Sequence, residues 1–180
     1  MRLTSRGFTA IELAAALGIT GMLIAASFHA YCDALPGMRV KAAARELFAN
    51  LHRARIAALA TGAPVAVTLN GPRNSYTVGS ETIPMDSENP GVRFGAVAGT
   101  PPWDATRGLT GGIAIPPSAD GTLPADQFTI DRHGRPSRDG EIYLIHVKDL
   151  AAGRTDRTYC IAVRQIGTYR LLRYDGTSWQ

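Results

Sequence analysis

The sequence predicts an α+β fold in which one long N-terminal helix packs on an antiparallel β-sheet. Three observations lead there. Apolar residues crowd the first 35 positions, helical periodicity then continues to about residue 61, and from Pro64 onward the period switches to two between Gly- and Pro-rich turns. A chain of 180 residues has room for one domain plus an anchor.

The helix reads in two halves. Residues 8–31 are almost wholly apolar, and 13–28 carry no charge. As a helix, 8–31 spans about 36 Å at ~1.5 Å per residue, enough to cross a bilayer. Arg2 and Arg6 precede it, and no basic residue follows until Arg39, which sets the N-terminus in the cytoplasm and exports the remainder. Ala25-Ala26-Ser27 offers an ordinary secretory cleavage site as the alternative to an anchor. Tyr31 before Cys32 excludes a lipoprotein signal, which needs a small residue there.

Pro36 is expected to end or kink the helix at Leu35. Beyond it Val40, Ala44, Leu47, Leu51, Ala54 and Ala58 recur at three- and four-residue spacing, the stripe of an amphipathic helix over 38–61. Arg39, Lys41, Arg45, Glu46, Arg53 and Arg55 fall largely off that stripe. Thr61-Gly62-Ala63-Pro64 is a stop signal. Strands are expected at 65–69 and 75–78 as a hairpin, then at 92–94, 112–115, 128–131, 141–147, 158–164 and 169–174. Residues 79–125 read as a long connection.

Composition narrows the chemistry. Net charge is +4, and 17 of the 19 basic residues are Arg, a mildly basic, solvated surface. Two cysteines without a C-x-x-C and four scattered histidines suggest no metal centre and no cofactor. A Cys32–Cys160 bridge requires export and a fold that brings the two together. Asp131, His133 and Ser137 crowd one turn and do not converge as orienter, base and nucleophile. Gly111-Gly112 lacks phosphate-loop spacing, and Trp103 and Trp179 read as packing residues. No enzyme is expected.

Glu12 is the anomaly. A carboxylate inside an apolar segment is costly in lipid and usually has a partner. Either it snorkels or protonates near the interface, or a cation is supplied. Cleavage after Gly7 would free an amine on Phe8, and a neighbouring copy's amine would then pair with Glu12 and set the register between subunits.

Arg6-Gly7-Phe8-Thr9-Ala10-Ile11-Glu12-Leu13 resembles the class III signal of type IV pilins and type II secretion pseudopilins. That resemblance implies a prepilin peptidase that cuts after Gly7 and N-methylates Phe8, with Glu12 as the assembly carboxylate. It also implies the domain plan: leader 1–7, transmembrane and assembly helix 8–35, and a periplasmic domain 36–180 with its helix at 38–61 and β domain at 64–180. Ala43-Ala44-Arg45-Glu46-Leu47, Leu51-His52-Arg53-Ala54-Arg55, the strand opening at Pro64-Val65, and the 128–147 block with its Gly134-Arg135-Pro136 turn resemble GspH/FimT-type minor pilins. The fold implied is type IV pilin-like. The implied protein is a low-copy, single-pass subunit of the bacterial inner membrane, N-terminus cytoplasmic and C-terminal domain periplasmic. It would enter or prime a type II secretion pseudopilus or a type IV pilus. Its implied partners are other pilins or pseudopilins, the prepilin peptidase, the inner-membrane assembly platform and membrane lipid. Some FimT-like members act in DNA uptake through a basic C-terminal segment. On that alternative Arg164, Arg170 and Arg173 are the candidates for DNA phosphates, although Thr168, not Arg, follows Gly167.

Overall fold

The structure is a computed structural model that describes residues 9–103, 113–114 and 125–180. The chain divides into two compact units, Met1–Leu35 and Pro36–Gln180. Helix α1, Ala10–Thr61, passes from one into the other. The helix does not end at Pro36. A proline removes one hydrogen bond of the ladder, and the helix nonetheless continues through Gly37.

In the first unit the side chains of residues 9–34 are exposed, including Ile11, Leu17, Met22, Ile24 and Phe28. The helix is long and apolar enough to cross a membrane. Two aliphatic hydroxyls are satisfied within the helix: Thr20 Oγ1 donates to the Ala16 carbonyl at 2.7 Å, and Ser27 Oγ to that of Leu23 at 2.7 Å, which lowers the cost of placing them in hydrocarbon.

In the second unit the stripe anticipated from sequence is the core face of α1. Val40, Ala44, Leu47, Leu51, Ala54 and Ala58 are all buried, and Ala43 joins them. The helix stops where the signal lies, with Gly62 at φ +66°, a conformation that costs glycine little.

Two sheets meet this face. The first comprises β1 (Val65–Asn70), β2 (Ser75–Val78), β3 (Glu81–Pro84) and β6 (Ala125–Ile130), in the order β3-β2-β1-β6 and antiparallel throughout. Pro84 closes an edge strand, where its missing N–H breaks no ladder. The second contains β4 (Val92–Phe94), β7 (Gly140–His146), β8 (Tyr159–Arg164) and β9 (Thr168–Arg173), in the order β4-β7-β8-β9. The short β5 (Ile113–Ala114) lies parallel to β7. A five-residue helix, α2 (Val147–Ala151), follows β7. The α+β arrangement is as expected. The division into two sheets, strand β3 and helix α2 were not anticipated.

Asn74 joins the sheets. It sits in the β1–β2 hairpin at φ +49°, tolerated by Asn better than by most residues. Its Nδ2 donates to the Val92 carbonyl at 2.8 Å, and its Oδ1 accepts from Phe94 N at 3.3 Å. Alternation on β7 and β8 sends Ile142, Leu144, Ile161 and Val163 to the α1 core, while Tyr143 and Cys160 form a second cluster with Ala96. Trp103, Leu172 and Trp179 pack against that cluster. Because both faces are covered, β7 and β8 are buried along their whole length, and their sequence reads as near-continuous apolar runs.

Candidate functional site

Of the three residues expected to act in processing and assembly, Gly7 and Phe8 lie outside the described residues, and Glu12 lies in the first turn of α1. Thr9 and Glu12 cap the helix reciprocally. Thr9 N and Thr9 Oγ1 each donate to Glu12 Oε2 at 2.9 Å, and Glu12 N donates to Thr9 Oγ1 at 3.3 Å. This is the capping box of a Thr-x-x-Glu start, and the helix dipole favours an acid there. Both contacts to the carboxylate fall on Oε2, and Oε1 accepts no hydrogen bond among the described residues.

The three arginines named for DNA do not form one patch. Arg164 is buried, its Nη2 3.6 Å from Glu141 Oε1 and its guanidinium carbon 4.6 Å from the centre of the Trp103 ring. Arg170 is exposed on the same face of the sheet, 5.9 Å from that ring. Arg173 pairs with Tyr159 in the ladder, whereas Arg170 pairs with Ala162, so the two point to opposite faces. Arg173 Nη2 donates to the Asp156 carbonyl at 3.3 Å. With Arg45 it also draws down the Tyr159 phenol, which burial pushes up.

Sequence reading missed the group beneath Arg164. Glu141 is fully buried. Its Oε2 accepts a short hydrogen bond from Tyr143 Oη and a longer one, 3.3 Å, from Trp103 N. Burial, reinforced by the Glu141 charge, pushes the neighbouring Cys160 thiol well up, which makes it a poor nucleophile. Tyr143 is also pushed up, first by burial. From the C-terminus, Trp179 Nε1 donates to the Pro101 carbonyl at 3.0 Å. The one local signal for this cluster is a charge opening an otherwise apolar strand. Trp103 and Trp179 are packing residues, as expected.

Asp131, His133 and Ser137 are taken up in local structure. Asp131 Oδ1 accepts from His133 N and Arg135 N, each at 2.8 Å, and the bond from Arg135 leads in holding its carboxyl below the usual range. Ser137 Oγ accepts from Thr129 N at 3.1 Å. Among the described residues no cluster of His, Cys, Asp or Glu is arranged to hold a metal. Cys32 and Cys160 are both free thiols.

Residues 43–167 match the family described as type II transport protein GspH. The match runs from the buried stripe of α1 through both sheets to the β8–β9 turn and takes in the Gly134 turn. No curated protein and no solved structure matches the chain significantly. With more than half of its length matched, the chain belongs to the GspH family of type II transport proteins, and with it to the structural pseudopilins of type II secretion rather than the enzymes.

Proposed function

We propose that this protein is a minor subunit of a type II secretion pseudopilus, stored in the inner membrane by the first half of α1 and drawn from there into the filament. The observation that carries the reading is a GspH-family domain continuous in sequence with a helix whose apolar side chains, from residue 9 to 34, are all exposed. In water such a surface is untenable, whereas lipid or a bundle of like helices covers it.

Assembly then exchanges lipid contacts for helix contacts. Prepilin peptidase removes residues 1–7 and methylates Phe8, which leaves a secondary amine at the new terminus. Glu12 keeps Oε2 on its own Thr9 cap and offers Oε1 to the amine of a neighbouring subunit. Two opposite charges in low dielectric favour each other strongly, and either one alone is penalised. Axial register follows from that pairing. The domain beyond Pro36 stands in the periplasm and meets other pseudopilins and the assembly platform.

Intact mass of the protein recovered from membranes tests the reading. A mass lacking residues 1–7 and carrying one added methyl group is expected. A retained leader in assembled material overturns it.

A further inference from the structure

The strand orders β3-β2-β1-β6 and β4-β7-β8-β9 end in four edge strands, and three of those edges are blunted or covered. β3 ends in Pro84, which has no N–H to offer. On β6, Thr129 is engaged through both peptide groups: Ser137 N donates to its carbonyl at 2.8 Å, and its N donates to Ser137 Oγ at 3.1 Å. On β4, the Asn74 side chain takes the Val92 carbonyl and the Phe94 N–H. β9 is the exception.

Tyr174 N donates to the Thr158 carbonyl at 2.9 Å, and Arg173 stands opposite Tyr159. Alternate residues of an antiparallel strand bond to one neighbour, and the residues between them face the other way. Leu172 and Arg170 therefore bond to β8, while Arg173, Leu171 and Tyr169 turn their N–H and C=O groups outward. Arg173 already exchanges both bonds with Gln180, at 2.8 and 2.9 Å. Leu171 and Tyr169 have no such partner among the described residues. Two successive outward-facing residues form a template for one more strand.

The surroundings of this edge are cationic. Arg170 and Arg173 are exposed on β9 itself, one on each face. Arg45 is exposed on α1 and acts with Arg173 on the Tyr159 phenol. The Arg55 guanidinium carbon lies 5.8 Å from the centre of the Tyr169 ring. Among the described residues none of these arginines forms an ion pair with a carboxylate. Of the acids nearby, Asp131 has Arg135 beside it, and Asp156 is paired with Arg154 at 3.6 Å. Asp139 Oδ1 accepts from Gln165 N at the β8–β9 turn, and Asp175, past the other end of β9, is held by the N–H groups of Thr177 and Ser178. The arginines remain in excess along the strand.

We propose that the open edge of β9 receives an extended, acidic segment of a protein other than this chain, which adds as a further strand beside Tyr169 and Leu171. The outward N–H and C=O groups call for a polypeptide backbone, and the arginines on both faces select acidic side chains. A second copy of this chain is disfavoured. Two β9 edges that satisfy Tyr169 and Leu171 reciprocally set Arg170 opposite Arg170, and like charges directly opposed are destabilising. Nucleic acid would meet the arginines but could not continue the ladder.

Peptide binding to the full-length chain in detergent tests it, read by fluorescence anisotropy. The probe is a short, blocked, dye-labelled peptide of alternating glutamate and valine. It is expected to bind, and its counterpart with lysine for glutamate is not. Only one edge of the added strand meets β9, so N-methylation of either the glutamate or the valine amides should weaken binding at least about tenfold, and methylation of the other set should not. Leu171→Pro removes an outward N–H without touching the ladder to β8 and should also abolish binding. Should that variant fail to fold, Arg170→Glu with Arg173→Glu serves instead and should transfer the preference to the lysine peptide. Absence of binding, equal effects of the two methylations, or binding untouched by these variants overturns the proposal. So does equal displacement by a DNA oligonucleotide with no effect of methylation, which would make the edge a plain polyanion surface. None of these results bears on removal of residues 1–7, so failure here leaves the anchored-subunit reading intact.

Discussion

Arg164 Nη2 stands 3.6 Å from Glu141 Oε1, and Glu141 is wholly buried. Removing one partner of such a pair strands the other charge in a poor solvent, which costs ~3–5 kcal/mol. Arg164→Met is therefore expected to destabilise the protein by about that amount, read from urea unfolding of the full chain in detergent by tryptophan fluorescence. Adding Glu141→Leu should recover much of the loss, because an apolar pair of similar volume is often neutral. Two simply additive losses would contradict the pairing. The same pairing commits the Arg164 charge to Glu141 and bears on any role in binding phosphate.

Gly134 adopts φ +73° with Arg55 directly above it, and a Cβ there would lie 2.9 Å from Arg55 Nε. The Gly134-Arg135-Pro136 turn is thus a seat for the end of α1. Gly134→Ala is expected to cost more than ~1 kcal/mol, from backbone strain and crowding together. Adding Arg55→Ala should recover only the crowding part. Thermal unfolding of the three variants checks this, and full recovery in the double variant would mean the backbone is not strained.

His146 opens α2, with Nδ1 accepting from Lys148 N at 3.1 Å. Burial holds its imidazole below the ordinary value, and Asp149 opposes that only in part. The unfolded chain then takes up a proton near pH ~6.5, before the folded one does. Protonation in that range favours unfolding, so stability present above it is lost as pH falls toward the folded-state value. Asn at this position keeps an acceptor for the cap and does not titrate. The urea midpoint of His146→Asn should fall less steeply from pH 7 to 5 than that of the parent. Equal slopes would assign the pH dependence to other groups.

Much of this fold is legible because it is encoded locally. The α1 stripe, the stop at Gly62 and the hairpin around Asn74 each follow from periodicity or turn chemistry within a few residues. Where pairing is between distant segments the sequence is silent, so the division into two sheets could not be read; β3 is a different case, a local hairpin with β2 across Gly79-Ser80. Glu141 illustrates the limit. Its one local sign is that it opens an otherwise apolar strand, and its burial depends on Trp103 and Trp179 packing over that face. The three arginines illustrate the opposite lapse, since period-two alternation alone sets Arg170 and Arg173 on different faces. Glu12 stands out in the sequence as a charge in an apolar run, and the Thr9 partner that makes it a helix cap lay three residues before it.

The proposed amine pairing would give Glu12 a second task beside that cap, and one substitution pair tells the two apart. Glutamine serves at the third position of a capping box as glutamate does, so Glu12→Gln keeps the start of α1 while removing the charge. Glu12→Ala removes the charge and the bond that Thr9 N donates to Oε2, while Thr9 Oγ1 still accepts from the N–H at position 12. Amide exchange over the first turn should therefore stay slow in Glu12→Gln and quicken in Glu12→Ala. Entry into filaments should fall in both, to a similar extent, because each leaves the neighbouring amine of Phe8 without an anion in a low-dielectric bundle. Suppose instead that Glu12→Gln enters filaments as well as the parent while Glu12→Ala does not. The carboxylate would then matter only for holding the helix end in shape, and the charge pairing between subunits would have to be abandoned.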